Sequence, residues 1–87
     1  ANDRRLRVTM PEDLDYTKVF EDVFAQYTTQ VELKKVKTTN LGSMFELQYD
    51  LTLRDPEQEK PFLDALRTRN GNLNIILSRT PGNNEEL

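Results

Sequence analysis

Residues 45–54 alternate without a break between apolar and polar side chains, and this pattern restricts the fold more than any other stretch of the chain. The side chains of a β-strand point alternately to opposite faces, so one face of this strand is wholly apolar and the other wholly polar. Such a strand needs a cover on one side and water on the other. We therefore predict an antiparallel sheet with one covered face and one open face.

Three further segments, 4–10, 29–39 and 72–78, have the alternation and composition of strands. In the second of them the apolar phase changes between Leu33 and Val36, so we predict a β-bulge near that point. Each segment again has an apolar side that requires a cover.

Two helices are predicted between these strands. An apolar stripe recurs at helical spacing over residues 16–27, and the acidic residues within 12–15 favour a helix start with an aspartate as N-cap. The second helix follows Asp55, a capping residue, and Pro56, which suits the first helical position. It is expected to become regular over 61–69.

The order strand, helix, strand, strand, helix, strand predicts an α+β fold, a ferredoxin-like βαββαβ sandwich. Its four-stranded antiparallel sheet has the order 4-1-3-2, with two helices on one face. The 87 residues are expected to form a single domain, 1–87, that ends in a frayed polar tail at 82–87. The predicted core consists of the apolar side chains of Leu6, Val8, Val19, Phe20, Val23, Phe24, Leu33, Phe45, Leu47, Leu51, Leu63, Leu66, Ile75 and Leu77.

Cysteine and histidine are both absent from the chain. Their absence excludes disulfides, thiolate nucleophiles, zinc ligation by these residues and acid–base catalysis by imidazole. We therefore predict a protein without cofactors that is not an enzyme. A chain without cysteine also suits a reducing compartment.

Nucleic acid is not an expected partner, because the net charge is −3 and the polar face of the central strands carries no aromatic residue. RNA-recognition modules of this topology stack bases on aromatic side chains at these positions. Here the face presents charged and amide side chains, which we expect to form ion pairs between strands. The residues are Arg5, Arg7, Glu46, Gln48 and Asp50.

The acidic loop, residues 12–15, is the one candidate for a ligand site. Glu12, Asp13 and Asp15 have the oxygen ligands that Mg²⁺ or Ca²⁺ prefers, although their spacing matches no known calcium loop. The ordinary role of such carboxylates is to stabilise a helix start. A small-ligand or divalent-cation sensor that binds at this loop is the alternative to a module without a ligand.

The two edge strands of the predicted sheet differ in charge. Lys34, Lys35 and Lys37 guard the second strand against pairing with another chain, and they are the residues that anionic lipid headgroups would contact. The fourth strand carries no charge before Arg79, and its Ile76 is out of phase with the apolar side. We therefore predict a weak homodimer with Ile76 as a contact residue.

The chain contains no apolar run long enough for a transmembrane span or a signal peptide, and it begins without methionine. We interpret it as a domain of a larger protein.

Three strings, 11–16, 36–47 and 66–73, resemble the C-terminal cytosolic domain of an uncharacterised bacterial family of multi-pass membrane proteins, known only as a domain of unknown function. The organisation is also similar to MgtC-type membrane proteins, which join a membrane segment to an ACT-like domain. The resemblance implies a regulatory or assembly module, associated with transport, on the cytoplasmic side of the cell membrane. Its partners would be a second copy and the membrane-embedded segment of the same protein. ACT domains usually bind amino acids at a glycine-containing loop, where this chain has Pro11 and acidic residues.

Overall fold

The computed structural model describes residues 1–79, so the polar tail predicted at 82–87 lies outside the described residues. Four strands and two helices follow the predicted order. The strands are β1 (Asp3–Pro11), β2 (Thr28–Thr39), β3 (Met44–Leu53) and β4 (Ile75–Arg79). The helices are α1 (Glu21–Tyr27) and α2 (Glu59–Arg67).

All neighbouring strands are antiparallel, and their order across the sheet is β2-β3-β1-β4. This is the predicted order 4-1-3-2 counted from the other edge, and the α+β class is confirmed. The bulge is also confirmed, because the register of β2 against β3 shifts between Leu33 and Lys35. A second shift lies between Thr28 and Gln30.

The core lies between the helices and one face of the sheet. Leu6, Val8 and Met10 of β1 are fully buried, as their alternation predicts. Both helices contribute aromatic rings, and the Phe24 ring centroid lies 4.9 Å from that of Tyr49 and 6.2 Å from that of Phe62. The two helices therefore cover the same face.

Helix α1 begins later than the sequence predicts. The carboxylate of Asp15 does not cap a helix; its Oδ1 accepts hydrogen bonds from the backbone N–H of Thr17 at 3.0 Å and from the Thr17 hydroxyl at 2.6 Å. This bond closes a turn in which the backbone N–H groups of Lys18 and Val19 both donate to the carbonyl oxygen of Asp15, each at 3.1 Å. Residues 16–20 accordingly form turns, and the helix begins at Glu21. The predicted aspartate N-cap is therefore wrong.

The capped first turn of the second helix is confirmed as a 3-10 turn at Pro56–Gln58, but the regular helix spans Glu59–Arg67 and not 61–69. The side chain of Asp55 accepts a hydrogen bond from the backbone N–H of Glu57 at 2.9 Å. Pro61 lies in the first turn of α2, where a backbone N–H would have no partner within the helix. The proline therefore removes no helical hydrogen bond.

Within residues 1–79, positive φ occurs in two short loops. In the β2–β3 connection these are Leu41, at 58°, and Gly42, at 89°. After α2 they are Gly71, at 73°, and Asn72, at 60°. Glycine and asparagine adopt positive φ readily, which suits such tight connections.

Candidate functional site

Large apolar side chains that remain exposed mark the surfaces where a protein meets a partner. In the described residues they lie on the two edge strands and at the tip of the β2–β3 connection. They are Val31, Leu33, Val36, Leu41 and Ile76.

Strand β2 carries three of these side chains on the face that the helices cover elsewhere. Val31, Leu33 and Val36 pair in register with β3 residues whose side chains belong to the core. They nevertheless keep 36%, 40% and 40% of their surface exposed. The prediction that Leu33 is buried is therefore wrong.

These side chains of β2 remain exposed because the helix that packs beside them, α1, is short. Helix α1 has only 7 residues, whereas β2 has 12, so the helix cannot reach along the whole strand. The other predicted core residues are buried or half-buried. Leu33 was in phase with the core, but phase alone does not say where a covering helix ends.

A shallow apolar groove follows from this short cover and runs between α1 and β2. One section, of about 210 Å³, is lined by Tyr16, Phe20, Phe24 and Leu33, among others. An adjoining section, of about 360 Å³, shares Phe24 with it and continues towards the start of β2. The groove and the exposed backbone edge of β2 form one continuous surface, which we call the β2 edge: β2 itself and the side of α1 that faces it.

Charges of both signs lie along this strand. The Nζ of Lys34 is 3.7 Å from a carboxylate oxygen of Glu32, and the Nζ of Lys37 is 3.8 Å from one of Glu46. Within residues 1–79, Lys35 has no carboxylate within ion-pair distance. Glu32 and Lys35 both lie on the open face, since their β3 partners are Asp50 and Gln48.

Strand β4 forms the opposite edge and offers less apolar surface. It has 5 residues, and its Ile76 is 52% exposed on the open face beside Arg7. This is where the sequence places it.

The open face itself is a set of paired polar side chains. Arg5 donates from Nε to Asp50 at 2.9 Å, and Arg7 donates from Nε to the amide oxygen of Gln48 at 3.4 Å. The predicted cross-strand pairing is thus confirmed for Arg5 and Asp50.

The acidic loop does not bring its carboxylates together. Glu12 and Asp13 are exposed in the turn after β1, and Asp15 is held by its bonds to Thr17. The hydrogen bond from the Thr17 hydroxyl has the largest effect, and together with the bond from the Thr17 backbone N–H it lowers the pKa of Asp15. Over residues 1–79 no group of three or more acidic side chains is arranged to hold a metal ion.

The two largest pKa changes belong to Asp22, which does not line the groove, and to Tyr49, which lies in its wall. The Arg69 guanidinium binds both carboxylate oxygens of Asp22, at 2.7 and 2.8 Å, and lowers the pKa of Asp22 to about 2. Burial raises the pKa of the Tyr49 hydroxyl to about 12. The first is a surface ion pair between α1 and the turn that follows α2, and the second is a core phenol, so neither is poised to transfer protons near neutral pH.

A buried arginine was missed by the sequence reasoning. Arg4 is only 4% exposed, and its Nε donates to Glu59 at 2.6 Å, while Arg79 donates to the same carboxylate oxygen at 2.8 Å. Arg4 lies two residues before Leu6 and therefore projects on the same, apolar face of β1. This spacing is the sequence signal that could have predicted its burial. The cluster joins β1, α2 and β4.

Within the part of the chain that the structure describes, no helix has the length and apolar character needed to cross a membrane. No protein-family model matches the chain, and no curated protein matches it.

Proposed function

We propose that this chain is a non-catalytic assembly module of ferredoxin-like, ACT-like architecture. It forms a homodimer on the cytoplasmic side of a bacterial membrane and thereby joins, or regulates, copies of the membrane protein to which it belongs. Transport is the process with which that protein would be associated.

The position of the exposed apolar side chains carries this proposal. They lie on the two edge strands, β2 and β4, and on the connection at the end of β2. An edge strand has backbone N–H and C=O groups without a strand neighbour, and beside exposed apolar side chains such an edge favours pairing with another chain. A catalytic cleft would instead combine a pocket with titratable groups of altered pKa.

The arrangement of the titratable groups supports a function without catalysis. The carboxylates of Asp22, Glu59 and Asp64 have lowered pKa values because each accepts hydrogen bonds from a cationic side chain, those of Arg69, Arg4 and Lys60 respectively. Ion pairs of this kind on a protein surface keep each carboxylate ionised and contribute little to the free energy of unfolding.

The cellular context rests on the resemblance of strings 11–16, 36–47 and 66–73 to a cytosolic domain of bacterial membrane proteins. A domain tethered to a membrane experiences a raised local concentration of its own copies. Weak self-association in dilute solution is then sufficient for assembly.

Sedimentation equilibrium over a wide range of concentrations tests the proposal. We expect a reversible monomer–dimer equilibrium. A chain that stays monomeric up to high micromolar concentration contradicts homodimeric assembly.

A thermal shift screen separates this function from a sensor at the acidic loop. A ligand present at 100 times its Kd adds about 2.7 kcal/mol to the free energy of unfolding, which is easily measured for so small a protein. We expect no such shift with Mg²⁺, Ca²⁺ or amino acids. A shift with Mg²⁺ that Glu12→Gln and Asp13→Asn abolish would favour the sensor.

A further inference from the structure

We infer that the β2 edge is the surface through which two copies of this chain associate. Strand β2 of one copy would pair antiparallel with β2 of a second copy about a twofold axis perpendicular to the sheet, so that the two sheets become one. This inference rests on the proposed function and specifies its contact surface.

The first reason is the amount of apolar surface at each edge. Strand β2 has 12 residues and β4 has 5, so β2 offers the longer row of backbone hydrogen-bond groups. Three exposed apolar side chains lie along β2, whereas β4 exposes Ile76 alone among its large apolar residues. Burying the β2 side chains removes more apolar surface from water.

The second reason is the register that the bulge imposes. In a twofold pairing of this kind, residues opposite each other must project on the same face of the joined sheet. The bulge between Leu33 and Lys35 changes the phase of β2, so residues on either side of it match when the axis passes between Leu33 and Lys34. At the axis itself, Leu33 of each copy lies opposite Lys34 of the other.

In this register the side chains of the two copies are complementary. Val31 lies opposite Val36 of the second copy on the covered face, and Glu32 lies opposite Lys35 of the second copy on the open face. Each contact occurs twice because of the symmetry. Lys35, which has no ion pair within residues 1–79, thereby gains a carboxylate.

The two neighbouring registers keep only part of this complementarity. Sliding one strand by two residues in one direction keeps Glu32 opposite Lys37 of the second copy but places Lys34 opposite Lys35. Sliding it the other way places Val31 opposite Lys34 and Glu32 opposite Leu33. The lysines therefore disfavour both neighbouring registers relative to this one, as charges that set specificity do.

The third reason is the groove. A twofold axis perpendicular to the sheet puts α1 of both copies on the same side, with the apolar side chains of both β2 strands between them. The groove section of about 210 Å³ beside Leu33 would then face its symmetry mate across the joined strands. The second copy thus supplies the cover that the short α1 does not.

Charge reversal tests the register. Lys35→Glu sets two carboxylates opposite each other at two symmetric positions, and Glu32→Lys does the same with ammonium groups. From the usual size of cross-strand charge effects, each single change is expected to raise the dimer Kd about tenfold by sedimentation equilibrium. The double variant Glu32→Lys/Lys35→Glu restores the original Kd.

The matched control is Lys60→Glu, a reversal on α2 away from the β2 edge, which is expected to leave the dimer unchanged. Circular dichroism on each variant reports that the monomer remains folded. Failure of the double variant to restore a dimer that the single changes weaken would overturn the proposed register.

Cysteine cross-linking gives a second readout, because the chain contains no cysteine. Val31→Cys chains and Val36→Cys chains are mixed and oxidised. Opposite positions in paired strands are close enough for a disulfide, so the mixture should cross-link far faster than Val31→Cys mixed with Ile76→Cys. Equal rates in the two mixtures overturn the inference.

The outcomes also separate this inference from the proposed function. A chain that never dimerises contradicts both. A dimer that is indifferent to the β2 reversals but is lost in Ile76→Lys preserves homodimeric assembly and places the contact on β4, which overturns the inference.

Discussion

Arg4 is a charged residue that belongs to the core side of the sheet. Its guanidinium is surrounded by acceptors, since Nη1 donates to the carbonyl oxygens of Ala1 and Asp3 at 3.0 and 2.9 Å and Nε donates to Glu59. A buried cation is tolerated only when it is paired and hydrogen-bonded in this way. Removing its carboxylate partner should therefore reduce stability.

Glu59→Gln should lower the free energy of unfolding by about 1–3 kcal/mol at pH 7, because Arg4 loses its counter-charge. The lower part of this range is expected, since the Glu59 side chain keeps 33% of its surface exposed. Urea unfolding of both proteins measures the difference.

The same pair makes stability depend on pH. The hydrogen bond from Arg4 lowers the pKa of Glu59 below its usual 4.5. The stabilisation is thus fully present above the unfolded-state pKa and is lost as pH falls through the lower folded-state pKa. The gap between wild type and Glu59→Gln should close over this acidic range, and a gap that persists there would contradict the assignment.

Asn70 connects the loop after α2 to the end of β1. It is fully buried, and its Nδ2 donates to the carbonyl oxygens of Thr9 and Leu73 at 2.7 and 3.2 Å. Asn70→Ala removes both bonds and should cost about 1–3 kcal/mol by urea unfolding. Asn70→Asp should cost more at pH 7, because it turns a carboxylate towards two carbonyl oxygens. An aspartate variant as stable as wild type would show that the loop does not depend on this contact.

Among the elements, the β2–β3 connection combines an exposed leucine with a strained backbone. Leu41 and Gly42 both have positive φ, and a Cβ added at Gly42 would meet no atom within 4 Å. The cost of Gly42→Ala is therefore conformational, about 1 kcal/mol. Leu41→Asn should stabilise by a few tenths of a kcal/mol or more, because asparagine adopts this conformation more readily. Opposite shifts in the urea midpoint are expected, and shifts of the same sign would contradict this backbone geometry.

Helix α1 and strand β2 allow a direct comparison of two apolar residues. Phe24 is buried against the rings of Phe20, Tyr49 and Phe62, so Phe24→Ala should cost about 3–5 kcal/mol. Leu33→Ala should cost less than about 1 kcal/mol in the monomer, because the side chain is 40% exposed. Equal losses in dilute protein would mean that α1 covers β2 further than the structure shows.

Much of the fold could be predicted because the alternation of apolar and polar residues along a strand shows which of its faces is buried. The alternation in β1 and β3 identified which residues are buried, and the phase change in β2 identified the bulge. The strand order then followed from the order of elements and their one-sided apolar faces. Patterns within single strands were therefore enough to predict the order of the strands in the sheet.

The start of α1 and the extent of its cover could not be predicted in the same way. Tyr16 and Val19 pack against the core as the helical spacing predicts, but they do so from turns. Spacing reports which side faces the core and does not report the hydrogen-bond pattern of the backbone. The length of α1 determines which part of β2 stays exposed, and the sequence of β2 itself contains no information about that length.

At the scale of the whole molecule, the central position of β1 unites the described structure. It pairs with β3 on one side and with β4 on the other, while its apolar side chains fill the core below both helices. Both edges are thereby left to β2 and β4. The faces and edges thus have separate properties: a covered face, a polar open face with paired charges, and two edges with apolar side chains.

The pairing of β1 with β4 has one more consequence, because it sets Arg4 directly opposite Arg79. Opposite residues in antiparallel strands have Cα atoms about 5 Å apart, so a short flexible linker can join the end of β4 to the start of β1. A circular permutant made in this way, with new ends between Gly42 and Ser43, should give the same far-ultraviolet circular dichroism and a cooperative urea transition at a lower midpoint. Loss of cooperativity would show that the β2–β3 connection is indispensable. If the permutant folds, these residues specify which strands and helices contact each other in space and do not depend on the order of the elements along the chain.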